Sequence, residues 1–126
     1  MNLVPLGLRL EANGAGKIRE SIFINMIPIR VNNGILLRNP LVGTAIDYEM
    51  KGYYRTEFQV IVRAANYESG ESLMQKVFQI LTLEETQVGD MHVKHCYPRF
   101  EPVVYPISDG NLLEFSTDFN IAFYKV

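Results

Sequence analysis

Several groups of residues carry side chains and spacings that bear on chemistry. Gly14-Ala15-Gly16-Lys17 has the composition of a phosphate-binding loop, in which backbone amides cradle phosphates, Lys reaches them and a Ser or Thr holds magnesium. That motif needs Gly where Glu11 stands, a hydroxyl where Ile18 stands, and a strand before it. Here the preceding segment reads as a helix, so the glycines read as a flexible turn. His92, His95 and Cys96 are metal-ligand types, but residues three apart on a strand point to opposite faces, and no second Cys or His pair stands elsewhere in the chain. Neighbouring side chains on a strand also diverge, which separates His95 from Cys96 as base and nucleophile, and no third group is spaced to orient them. The carboxylate pairs Glu84-Glu85 and Asp47 with Glu49 fall in expected loops and support no general-acid assignment. The sequence therefore assigns no catalytic residue, no metal ligand and no cofactor.

One further group is of a different kind. Ile46, Asp47, Tyr48, Lys51, Tyr53, Tyr54 and Arg55 mix aromatic and charged side chains in the way that anchors protein–protein contacts. Asp47, Tyr48, Lys51, Tyr53, Tyr54 and Arg55 are the candidate interface residues. The same residues also fit a surface loop whose tyrosines pack back on a sheet.

The elements that must position these groups are written in the hydrophobic pattern. Residues 2–12 have Asn2 as an N-cap, Pro5 in the first turn and apolar Leu3, Leu6 and Leu10, with Gly14 placed to end the segment in the left-handed conformation, so a short amphipathic helix is expected. Residues 21–31, SIFINMIPIRV, are rich in β-branched and aromatic types and read as a strand that sits at an edge or ends at Pro28. Asn32-Asn33-Gly34 then predicts a tight turn, with residues 35–38 returning as the antiparallel partner. Residues 40–53 follow neither the helix nor the strand period and predict a loop, within a projecting stretch over about 40–55; loops of such length are usually functional.

Residues 56–64 alternate, with Phe58, Val60 and Val62 on one face and Gln59, Ile61 and Arg63 on the other, as a strand requires. From Ser69, as N-cap, with Glu71 in the first turn, a helix of about 13 residues is expected, its apolar face carrying Leu73, Val77, Ile80 and Leu81. Residues 84–90 read as an acidic turn, residues 91–97 and 102–107 as strands, and Ser108-Asp109-Gly110-Asn111 as the turn before the last strand. There Leu113, Phe115, Phe119, Ile121 and Phe123 alternate with Glu114, Ser116, Asp118 and Asn120 over about 13 residues, twice the common strand length. The order predicts an α+β fold, a mixed, mostly antiparallel sheet with two helices packed on one face, as one domain over residues 1–126.

Composition narrows the function. With 126 residues, 48% of them hydrophobic and 21% charged, the chain suits one buried core. Twelve Lys and Arg against 14 Asp and Glu give a net charge of −2, and no basic cluster is placed to neutralise a run of phosphates, so tight nucleic-acid binding by one copy is not expected. The single cysteine, Cys96, excludes an intrachain disulfide and points to a reducing compartment. The opening MNLVPLGLRLEANG has no basic n-region, long apolar stretch or cleavage site of a secretory signal, and no apolar run is long enough for a membrane-spanning helix.

Two stretches carry a family likeness: the N-terminal helix followed by GAGKIRESIFINMIPI, and TEFQVIVRAANYESGESLMQKVFQIL, in which a strand ending in FQVIVR, a short turn and a helix form the middle of the domain. In these and in element order the chain resembles the tail terminator, or minor capsid, proteins of long-tailed bacteriophages, over roughly its first two-thirds plus the terminal strand. Where the family often has a glycine-rich turn after the second strand, this sequence has NPLVGTAIDYEM. The resemblance implies a structural virion protein, not an enzyme, that forms a homohexameric ring. The ring caps the tail tube, ends its polymerisation and makes the tail side of the head–tail junction. Its implied partners are other copies of itself, the tail tube protein and the head–neck connector protein, with DNA only passing through the lumen, no membrane and no cofactor. Its implied location is the virion tail, with the host cytoplasm during assembly. A ring needs two different patches per subunit, which long strands and a projecting loop supply, and net negative charge suits a lumen past which DNA slides. Two other functions fit the pattern: a neck or head completion protein, and a small ligand-binding or enzymatic domain with a pocket under the long loop near Arg63 or His95.

Overall fold

The computed structural model describes residues 1–107 and 111–125. In chain order the elements are α1 (Val4–Ala12), β1 (Ile22–Ile24), β2 (Gly34–Arg38), β3 (Tyr53–Ala64), α2 (Tyr67–Leu81), β4 (Leu83–Val88), β5 (Met91–Pro98), β6 (Val103–Pro106) and β7 (Leu113–Lys125). The strand order is β1-β2-β3-β7-β5-β4, with β6 also paired to β7. Among the described strand pairs only β1–β2 is parallel, which makes the fold the expected α+β class with a mixed, mostly antiparallel sheet.

The last alternating segment forms the middle of this sheet. β7 is 13 residues long and pairs with β3 from Tyr53↔Tyr124 to Ala64↔Leu113. On its other side lie β5 and then β6, one strand track interrupted at residues 99–102. The interruption is bonded to β7: Arg99 N donates to the Asp118 carbonyl at 2.8 Å, and the buried Thr117 hydroxyl donates to the Phe100 carbonyl at 2.8 Å.

The face with Phe58, Val60 and Val62 on β3 and Phe115, Phe119, Ile121 and Phe123 on β7 is buried under the helices. Phe58 and Phe119 stack with centroids 5.3 Å apart, and Phe78 of α2 meets Phe119 edge-on at 5.7 Å. α2 can lie this close because Gly70 faces Phe115; a Cβ there would run into the ring. α1 packs on α2 and reaches β1 and β4, the outermost strands.

Four expectations are corrected. α2 begins two residues earlier than Ser69, because Asn66 supplies the cap: its Oδ1 accepts from Ser69 N at 2.9 Å, and the helix runs 15 residues. α1 is likewise capped at Leu3, although Asn2 Oδ1 still accepts from Val4 N at 3.0 Å; Gly14 has φ +82°, as expected. The strand expected over residues 21–31 is only three residues long and runs parallel to its neighbour, so Asn32-Asn33-Gly34 is no hairpin. The left-handed Asn25 (φ +65°) turns the chain out, and Arg63 Nη1 then donates to the carbonyls of Pro28 and Val31, holding the excursion so that the chain re-enters in the same direction. Finally, residues 83–88 form a strand where an acidic turn was expected; Leu83 and Val88 are buried while Glu84 and Glu85 face water, and the turn is confined to Gly89 and Asp90. Of the turn expected at residues 108–111, Ser108, Asp109 and Gly110 lie outside the described residues.

Candidate assembly surface

β2 pairs only with residues 59–63 of β3, so residues 53–58 have β7 on one side and, among the described residues, no ladder partner on the other. Three local features end β2 there. Asn39 is held by Asn25, and it donates to the Met1 carbonyl at 2.8 Å, drawing the chain off the ladder. Pro40 has no N–H with which to continue it. The loop over residues 39–52 then runs beside the free edge without pairing to it, touching it through the Thr44 and Thr56 hydroxyls at 3.4 Å.

The space between loop and edge is a groove made of three cavities. One, of about 280 Å³, lies between Arg38, Leu41 and Glu57. A second, of about 290 Å³, lies between Val42, Gly43 and Thr56. The largest, of about 590 Å³, lies between Ile46, Tyr48 and the pair Tyr53 and Arg55. Neither Arg63 nor His95 lines any of the three.

The candidate residues divide by element. Tyr53, Tyr54 and Arg55 belong to β3 and not to the loop. Tyr53 packs on Tyr124 at 5.0 Å, and Tyr54 stacks on Phe123 at 5.2 Å with the Lys125 ammonium 5.3 Å over its ring, so both are anchored to the sheet. Arg55 is exposed and has no ion-pair partner among the described residues. Asp47 works within the loop, its Oδ1 accepting from the amides of Glu49 and Met50 at 2.9 and 3.2 Å, which shapes the turn that presents Tyr48. Asp47, Tyr48, Tyr53 and Arg55 come together around the largest cavity, while Lys51 and Tyr54 do not line it.

Leu41 and Val42 were not among the candidates. At 95% and 98% exposure they are, with Tyr48 at 87%, large apolar side chains left almost wholly in water. The available signal was an adjacent apolar pair just after Pro40, in a segment with no period to bury it.

The uncovered face of the sheet carries paired charges. Arg99 sits 2.7 Å from Glu57 and 3.8 Å from Asp118, whose carboxyl is nevertheless raised above the usual range, by desolvation first and then by Glu57. Glu85 accepts from His92 at 2.8 Å and Lys94 at 2.9 Å; these bonds hold it below the ordinary carboxylate value and raise Lys94. Arg63 and Glu114 pair at 3.1 Å, mostly shielded. Burial pushes the Cys96 thiol up to about 12, so the reactive thiolate is suppressed. Among the described residues no three His, Cys, Asp or Glu side chains are grouped to hold a metal.

Among the described residues, then, a strand edge without a ladder partner lies beside a groove and faces a loop with exposed apolar tips, a surface with the features of an assembly protein. Residues 9–125 match the family described as bacteriophage tail terminator protein, and the chain belongs to that family. Its role is thereby structural, in completing the tail of a virion. A chain from the virion of a native gene transfer agent particle shares the fold: the TM-score is 0.67 at 10% sequence identity, over 98% of this chain and 99% of that one. No curated protein matches the sequence at a significant level.

Proposed function

We propose that the protein closes the end of the tail tube as a homohexameric ring, stops tube polymerisation there, and forms the tail side of the head–tail junction. Its partners in this reading are copies of itself, the tail tube protein and the head–neck connector protein, with DNA passing through the lumen. The observation that carries the reading is the pairing of a grooved, half-open sheet edge with exposed loop tips on one chain. A cyclic ring requires two unlike patches on each subunit, and Asp47, Tyr48, Lys51, Tyr53, Tyr54 and Arg55 mark one of them. The apolar tips Leu41, Val42 and Tyr48 meet the tube, burying surface that the isolated chain leaves wet.

Native mass spectrometry and negative-stain microscopy test the reading. Six-subunit rings, and arrest of tube growth when the purified protein is added to polymerising tube protein, are the expected results. A chain that stays monomeric at high concentration and binds no tube ends overturns it. Immunolabelling of separated heads and tails places the protein on tails; label on tail-less heads would assign it to the neck instead.

A further inference from the structure

We infer that the groove beside residues 53–58 receives β4 of a second copy of this chain, joining the two sheets edge to edge. The inference rests on the ring reading above and names the contact that would build it.

β4 pairs with β5 on one side and, among the described residues, has no ladder partner on the other. It therefore offers a second free edge, at the opposite border of the sheet. The two edges are linked row by row through the ladders. Glu84 is opposite His95, His95 opposite Ala122, and Ala122 opposite Arg55, so Glu84 and Arg55 occupy one row across the sheet and point to the same face. Gln87, His92, Tyr124 and Tyr53 form a second such row. A neighbouring copy that continues these rows sets its β4 edge on the free β3 edge. Because β3 and β4 run in opposite directions within one subunit, the joined strands are antiparallel.

Chemistry agrees with this placement. In an antiparallel ladder, directly opposed Cβ atoms are about 4.5–5.5 Å apart, which puts Glu84 of one copy against Arg55 of the next. Both are exposed and lack an ion-pair partner among the described residues. The free β3 edge contains no proline, whereas β6, another strand with an open side among the described residues, follows Pro102 and ends in Pro106, which blunt an edge against pairing. Apart from the Thr44–Thr56 contact at 3.4 Å, which the added strand displaces, the 39–52 loop stands off β3 by the width of the groove.

Hydrogen exchange and charge reversal test the inference together. In assembled protein, amides within residues 53–58 and 83–88 exchange more slowly than in dilute monomer. R55E and E84R each lose the oligomer at a concentration where the unaltered chain is assembled, with unchanged circular dichroism, and the double variant R55E/E84R regains it. Rings that form without added protection at both segments, or single reversals that leave assembly intact, overturn the inference and leave the ring reading standing. A chain that never assembles overturns both.

Discussion

β3 is one strand with two fates. Over residues 59–63 it lies between β2 and β7, and Val60 and Val62 are fully buried with Ile61 nearly so. Over residues 53–58 it has, among the described residues, β7 alone, and its outward face carries Tyr53, Arg55 and Glu57 beside an open groove. The difference comes from where β2 stops. The doubly paired half holds the domain together, and the singly paired half is a half-built ladder, so damage to the first should register as instability and damage to the second as failed assembly.

The largest separation of the two comes from Phe115, which stands opposite Val62 of the doubly paired half, is fully buried and meets Tyr67 of α2 at 5.7 Å. Phe115→Ala should lower stability by about 3–5 kcal/mol in urea unfolding; a loss under about 1 kcal/mol would mean that the doubly paired half does not hold the domain together. Next is the pH response of the buried thiol. Cys96 stays protonated in the folded chain up to about 12, while in the unfolded chain it ionises near 9.0. Above pH 9 the unfolded state thus binds fewer protons than the folded one. Stability is fully present below that pH and falls above it, by up to about 1.4 kcal/mol per pH unit for one group. Unfolding curves of Cys96→Ala measured from pH 8 to 10.5 should lack this contribution; an unchanged slope would show that the thiol is accessible. The smallest stability effect belongs to the loop. The double variant Leu41→Ser and Val42→Ser should change stability by less than about 0.5 kcal/mol, since both side chains are already in water, yet weaken binding to tube ends in a sedimentation assay. A large drop in melting temperature would place these residues in the core.

The strands that bury one face were legible in the sequence, because alternation of apolar and polar side chains is the cause of that burial: β7 and β3 follow from Phe115, Phe119 and Phe123 and from Phe58, Val60 and Val62. The helical face of α2 is readable for the same reason, while its first residue is not, because Asn66 and Ser69 are both good caps. β4 was hidden by its acidic residues, which look like a turn until it is known that they line a wet face. The direction of β1 was hidden more deeply, since it depends on Arg63 reaching the carbonyls of Pro28 and Val31 from another strand. The loop side of the candidate surface could be picked out by composition. Its other wall could not, because an unpaired edge is set by where a neighbouring strand ends and leaves no mark on the residues that line it.

The position of β7 governs when the domain can fold during synthesis. The strand made last among those described runs through the middle of the sheet, between β3 and the β5–β6 track. Until it leaves the ribosome, β3 and β5 have no common neighbour and the aromatic core has no floor. Earlier segments can form only local structure, such as α2 and the β4–β5 hairpin. The chain therefore completes its core late and in a single closure spanning residues 53–125, an ordering that makes folding slow for its length.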